Sequence, residues 1–104
     1  MFGGKNMKQM MQQAQKMQKE MQEQQKKLEK ETVEAQAGGG MVKVVVNGKK
    51  EVLSIDINDE VIDPDDKEML QDLILAAVNE AINKMDDYIQ DKMQEIAGPF
   101  ANLM

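Results

Sequence analysis

The sequence predicts an α+β domain in the order helix, three strands, helix, and three observations carry the prediction. Residues 7–31 contain no Gly, no Pro and no β-branched residue. Two runs rich in Val and Ile, MVKVVV and KKEVLSIDI, flank the dipeptide Asn47-Gly48. Apolar residues then recur at helical spacing between 70 and 96 and give out at Gly98-Pro99. A chain of 104 residues supports one domain with a modest core. Two helices on one face of an antiparallel sheet are the layering that buries such a pattern.

The first helix is read over residues 5–31. Its Met, Gln, Lys, Glu, Leu and Ala keep most of their rotamer freedom in a helix, and nothing in the segment competes for the backbone hydrogen bonds. At 1.5 Å per residue it is roughly 40 Å long, whereas a compact chain of about 100 residues has a radius of gyration of ~13 Å. It therefore projects beyond its own domain or is covered by a second subunit. A dimer also suits a chain too small to bury a long apolar stripe by itself.

The sheet is read over residues 32–57. Residues 32–37, TVEAQA, alternate weakly and run into Gly38-Gly39-Gly40, as an edge strand entering a flexible turn does. Asn47-Gly48 suits a two-residue type I′ hairpin. That loop makes Val46 face Lys49, Val44 face Glu51 and Val42 face Leu53. One face of the sheet then carries Val42, Val44, Val46, Leu53, Ile55 and Ile57, and the other carries a mixture of polar and apolar residues.

The second helix is read over residues 64–97. Asp63 is its expected N-cap, Pro64 fits the first turn, and Asp65 and Asp66 complement the positive end of the helix dipole. Leu70, Leu73, Ile74, Ala77, Ala81, Met85, Tyr88, Ile89 and Ile96 mark its apolar face, with Ala77 and Ala81 small enough for close packing. Residues 98–104 follow as a loose tail.

The same composition removes most enzyme chemistry. There is no Cys and no His, so thiol nucleophiles, disulfides, the usual general base and the commonest metal ligands are absent. The acidic stretch Asp56, Asn58, Asp59, Glu60, Asp63, Asp65 and Asp66 is not an EF-hand loop. Started at Asp56, it places Val61 where Gly is needed and Lys67 where Glu is needed. Gly38-Gly39-Gly40 lacks the Lys-Ser/Thr of a phosphate-binding loop. No catalytic residue, metal site, cofactor or small-molecule substrate is expected. No apolar run approaches the ~18 residues of a membrane span, and MFGGKNMK is no signal peptide, so a cytoplasmic protein is expected.

The first helix divides into two faces. Met7, Met10, Ala14, Met17, Met21, Gln24 and Leu28 are spaced alternately by three and four, as the a and d positions of a heptad seam are, with Gln24 its polar exception. This seam packs on its own chain or forms a dimer interface. Turning 100° per residue, Lys8, Lys16, Lys19, Lys26, Lys27 and Lys30 fall within an arc about 100° wide, interrupted by one acid, Glu23, and nearly opposite the seam. Residues 1–30 hold seven Lys against three Glu, a net +4 that leaves −10 for the rest of a chain whose total is −6. A Lys arc of this kind suits the phosphates of double-stranded DNA, since each cation near the backbone releases condensed counterions whatever the base sequence. There is no Arg for bidentate contact with guanine, and the aromatic residues are only Phe2, Tyr88 and Phe100. A solvated charged face is the plain alternative. A protein-interaction module that captures a partner helix on the soft Met seam is the functional one.

Taken in order, MFGG, residues 10–18 (MMQQAQKMQ), 39–48 (GGMVKVVVNG), 65–74 (DDKEMLQDLI) and 76–79 (AAVN) resemble the YbaB/EbfC nucleoid-associated proteins. The likeness covers nearly the whole chain, and its specificity lies in the order and spacing of the motifs. The resemblance implies a small bacterial homodimer of tweezer-like shape, located in the cytoplasm and nucleoid, that binds DNA and alters its conformation. It implies roles in nucleoid organisation and gene regulation, and no enzymatic activity. It also places the DNA contacts on basic residues of the projecting helix, which here are the six Lys of the arc. The lack of Arg and the acidic second half depart from that pattern.

Overall fold

The computed structural model describes residues 3–101. Helix α1 (Gly3–Lys30) leads into strands β1 (Thr32–Ala37), β2 (Val42–Asn47) and β3 (Val52–Ile57), then a short 3-10 turn (Asp59–Val61) and helix α2 (Lys67–Ala101). The strands form one antiparallel sheet in the order β1-β2-β3. This is the predicted α-β-β-β-α arrangement.

Helix α2 lies over β1 and β2. Val42, Val44 and Val46 of the central strand are wholly buried, as are Ala77, Ala81 and Met85 of the helix. Alternation along β2 sends every second residue toward α2. On the helix, the spacing of four between Ala77, Ala81 and Met85 keeps all three on the strand side. The two Ala let the helix axis approach closely, and Met85 fills the remaining space. The β1–β2 turn fits against the start of the helix. Gly38 has a φ of +64°, and a Cβ there would stand 2.8 Å from a terminal carbon of Leu73. The Lys84 Nζ donates to the Glu34 carbonyl at 2.8 Å on the β1 side of α2, and Lys50 pairs with Asp86 at 2.6 Å on the side of the β2–β3 hairpin.

The hairpin differs from the predicted two-residue loop. Gly48, Lys49 and Lys50 make the turn, with Lys50 left-handed at a φ of +64° and its N–H donating to the Asn47 carbonyl. This is a type I turn closed by a bulge residue rather than a I′ turn. The cause is the Asn47 side chain, whose Oδ1 accepts from the N–H groups of both Lys49 and Glu51 at 3.0 Å. The register shifts accordingly. Val46 faces Val52, Val44 faces Ile55 and Val42 faces Ile57, with an irregularity between Val45 and Val46 that leaves Leu53 unpaired. Ile55 and Ile57 do share the face of Val44 and Val42, but Leu53 and Ile55 are exposed and Ile57 is half-buried. α2 does not extend over β3.

The ends of α2 also differ from those predicted. Asp66, not Asp63, caps the helix, its Oδ1 accepting from the Met69 N–H at 3.2 Å. Asp63 instead accepts from the Asp65 N–H at 2.9 Å, and the Asp66 N–H donates to the Asp63 carbonyl, a local turn that delays the helix to Lys67. Asn58 likewise caps the 3-10 turn through the Glu60 N–H. The acidic stretch thus spends side chains on backbone donors. At the far end the helix continues through Gly98-Pro99 to Ala101. A proline this near a helix terminus removes one hydrogen bond to a carbonyl that water can reach. Part of the predicted tail, residues 102–104, lies outside the described residues.

Candidate nucleic-acid interface

Helix α1 leaves the domain. The radius of gyration is 21.3 Å and the principal extents are 80 × 21 × 15 Å, far longer than a compact chain of this size. Its 28 residues make a rod of roughly 42 Å. The helix needs little tertiary support, because it is written almost entirely in strong helix formers and Lys27 and Lys30 sit in its last turn, where cations favour the dipole.

All six residues of the Lys arc, Lys8, Lys16, Lys19, Lys26, Lys27 and Lys30, are exposed. From Lys8 to Lys30 the arc runs about 33 Å, close to one turn of B-form duplex. The ion pairs found among the described residues, Lys50–Asp86 and Lys92–Glu95, involve none of them. Lys49 and Lys50 belong to the hairpin turn. Lys49 is exposed, but Lys50 is drawn to Asp86.

The seam does not pack along its own chain. Met7 and Met10 are 63% and 68% exposed, Ala14, Met21 and Gln24 are exposed, and Met17 is half-buried. Only the last member, Leu28, is buried, at 6%. Leu28 sits with the turn residues Gly48 and Lys49 and with Ile89 and Met93 of α2 around one shallow depression. The join is backbone against backbone, since a Cβ on Gly48 would run into the Leu28 carbonyl and stand 2.8 Å from the Glu29 Cα. Gly48 belongs to the hairpin turn, but its closest constraint is this contact from α1.

Glu31 follows directly on α1 and faces Tyr88 of α2. The Glu31 carboxylate holds the Tyr88 phenol above its ordinary pKa of 10.0, first by hydrogen bonding, then through partial burial and through the negative charges of Glu31 and Glu95. The Lys92 Nζ stands 5.7 Å from the centre of the Tyr88 ring. A buried carboxylate oxygen of Glu31, Oε2, has no hydrogen-bond partner among the described residues. The root of α1 is thus a small, partly polar joint at one end of the sheet.

The model of the YbaB/EbfC DNA-binding family matches residues 3–100. The chain belongs to that family. A nucleoid-associated protein of Caldicellulosiruptor saccharolyticus is 62% identical over 96 residues, covering 92% of this chain and 85% of the relative. One of Pelotomaculum thermopropionicum is 55% identical over 98 residues, covering 94% and 92%. The crystal structure of an uncharacterized protein of Helicobacter pylori superposes with a TM-score of 0.62 at 26% identity, covering 77% of this chain and 93% of that one. The YbaB/EbfC family is one of DNA-binding proteins and not of enzymes. Among the described residues no helix is long and apolar enough to cross a membrane.

Proposed function

We propose that this member of the YbaB/EbfC family acts as a homodimer in the cytoplasm and nucleoid, gripping double-stranded DNA by its phosphates through the Lys arcs of two α1 arms. The observation that carries this reading is a projecting helix with all six arc Lys exposed. Phosphate contacts position a protein without reading sequence, so base discrimination is small. Two arms engaging one duplex constrain its path, which is how binding alters DNA conformation, organises the nucleoid and influences nearby genes. No cofactor or small-molecule substrate takes part.

Fluorescence anisotropy with random duplexes across a salt series tests the reading. Six phosphates per arm correspond to a slope of log affinity against log salt of about −5 for one arm and about −11 for two. Replacing Lys16, Lys19, Lys26 and Lys27 by Gln is expected to flatten the slope and weaken binding equally on all sequences while the dimer persists. Affinity that does not fall with salt refutes the phosphate mechanism.

A second reading rests on the exposure of the seam. Met7, Met10, Ala14, Met17 and Met21, running outward from Leu28, offer a soft apolar contact to the arm of a second copy or to a partner helix. A protein partner captured this way survives nuclease treatment in a pull-down; a co-purifying factor lost with the nucleic acid does not support it.

A further inference from the structure

All the sulfur of this chain is methionine, and its exposure to water is uneven. Met7, Met10 and Met11, near the outer end of α1, are 63%, 68% and 61% exposed, whereas Met85 of α2 is wholly buried. Between these limits, Met21 and Met69 are exposed at 37% and 38%, and Met17, Met41 and Met93 are half-buried. Met7 stands three residues from Met10 and four from Met11, the two spacings at which side chains lie next to one another on a helix. The three thioethers therefore form one patch in water. They lie outside the Lys arc, so a duplex held on that arc leaves the patch uncovered.

We propose that Met7, Met10 and Met11 are an oxidative modification site, at which a peroxide converts the thioethers to sulfoxides and loosens the outer end of the arm. A sulfur lone pair attacks one oxygen of hydrogen peroxide, and the S–O bond forms as the O–O bond breaks. The departing hydroxide takes the proton left on the transferred oxygen and becomes water. Sulfur loses two electrons and the peroxide gains them. With no Cys in the chain, no thiolate competes for the oxidant.

The arm is sensitive to this change because of how it is held. Outward of Leu28, α1 stands on intrinsic propensity and on contacts between neighbours along its own surface. A sulfoxide puts a polar acceptor where an apolar group was, so it removes the contacts of Met7 with Met10 and Met11 and competes for backbone N–H groups. The change falls near the helix N-terminus, where the first N–H groups already lack partners within the helix. Fraying then runs inward from Gly3 through Met11. Lys8 lies in that stretch and loses its fixed spacing from Lys16. The effect on DNA rests on the phosphate contacts proposed above: one contact is lost from each arm.

Peptide mapping by mass spectrometry on the full chain, after graded exposure to hydrogen peroxide, reads the modification. Met7, Met10 and Met11 are expected to gain oxygen at least about 10-fold faster than Met85, whose sulfur is reached only when the core opens. Helical circular dichroism of the oxidised chain should fall by about a seventh, the share of the two helices that Gly3 to Met11 represents. The slope of log DNA affinity against log salt should flatten by about 1 for each arm engaged, which at 0.1 M salt is a loss of about 10-fold per arm. The triple variant Met7→Leu, Met10→Leu and Met11→Leu keeps the helix propensity and the neighbour contacts without the sulfur, and peroxide should leave its helicity and binding unchanged. Methionine sulfoxide reductases for both epimers, with dithiothreitol as reductant, should restore the oxidised parent. Oxidation of the three Met no faster than that of Met85, as when another chain covers them, overturns the site. Unchanged helicity after oxidation, or an equal loss in the triple variant, overturns the loosening. A parent that never binds DNA refutes the phosphate reading, and the mapping and helicity results then decide the modification by themselves.

Discussion

The two long helices are held in opposite ways. α2, of 35 residues, buries Ala77, Ala81 and Met85 completely against the sheet, whereas α1, of 28 residues, buries Leu28 at its root. α2 contains Val, Ile and Asn at seven positions and draws its stability from the face it covers. α1 is written in residues that favour a helix wherever they are placed, and so can stand away from its domain. Intrinsic propensity supports a rod that must be accessible; burial supports a rod that must hold a fold.

Methionine occurs in both helices, so it provides the widest contrast. Met85→Ala is expected to cost about 3 kcal/mol in urea denaturation, since it empties a close-packed site, whereas Met10→Ala should change the unfolding free energy of the domain by no more than about 0.5 kcal/mol. Comparable losses at the two sites would mean that the arm is as firmly built in as α2. Next in size is the join itself. Gly48→Ala forces the root of α1 away from the hairpin and should cost about 2 kcal/mol, with faster proteolysis between α1 and β1 as its signature. Asp66→Ala follows, at about 1 kcal/mol, because it removes the cap of α2; thermal melts would register it.

The smallest effect concerns the polar side of the joint. Tyr88 is the sole Tyr and there is no Trp, so its ultraviolet titration reports one group. Its midpoint should lie above 10, and Glu31→Gln should bring it down toward 10. The raised pKa means that the folded chain holds the phenolic proton more tightly than the unfolded chain. Its contribution to stability is complete below pH 10 and is lost as the pH rises through the folded value. A midpoint that does not respond to Glu31→Gln would detach Glu31 from Tyr88.

Much of this architecture is legible in the chain because it is local. The uninterrupted α1, the order of the strands and the close approach at Ala77 and Ala81 follow from propensity and spacing. On α1 the six Lys stand exposed, and so does most of the Met seam. The hairpin departs from the expected one where a side chain enters the backbone pattern: Asn47 looks like the first residue of a tight turn, but its Oδ1 takes two N–H groups and lengthens the loop. The cap lies at Asp66 rather than at the expected Asp63, because Asp63 turns its carboxylate to the Asp65 N–H while Asp66 takes the Met69 N–H. Periodicity also says which side chains share a face without saying whether anything covers it, so the exposure of Ile55 was invisible. The contact of Leu28 with Gly48 joins residues twenty apart and has no local signal at all.

That contact has a consequence for how such a protein can change. The arm meets the body through the Leu28 carbonyl and the bare backbone of Gly48, groups that every side-chain substitution on the outer helix leaves untouched. Lys and Gln can therefore be exchanged along the rod, tuning its hold on a polyanion, without altering the angle at which the rod is mounted. Aim and grip are inherited separately, and a lineage can adjust one while keeping the other.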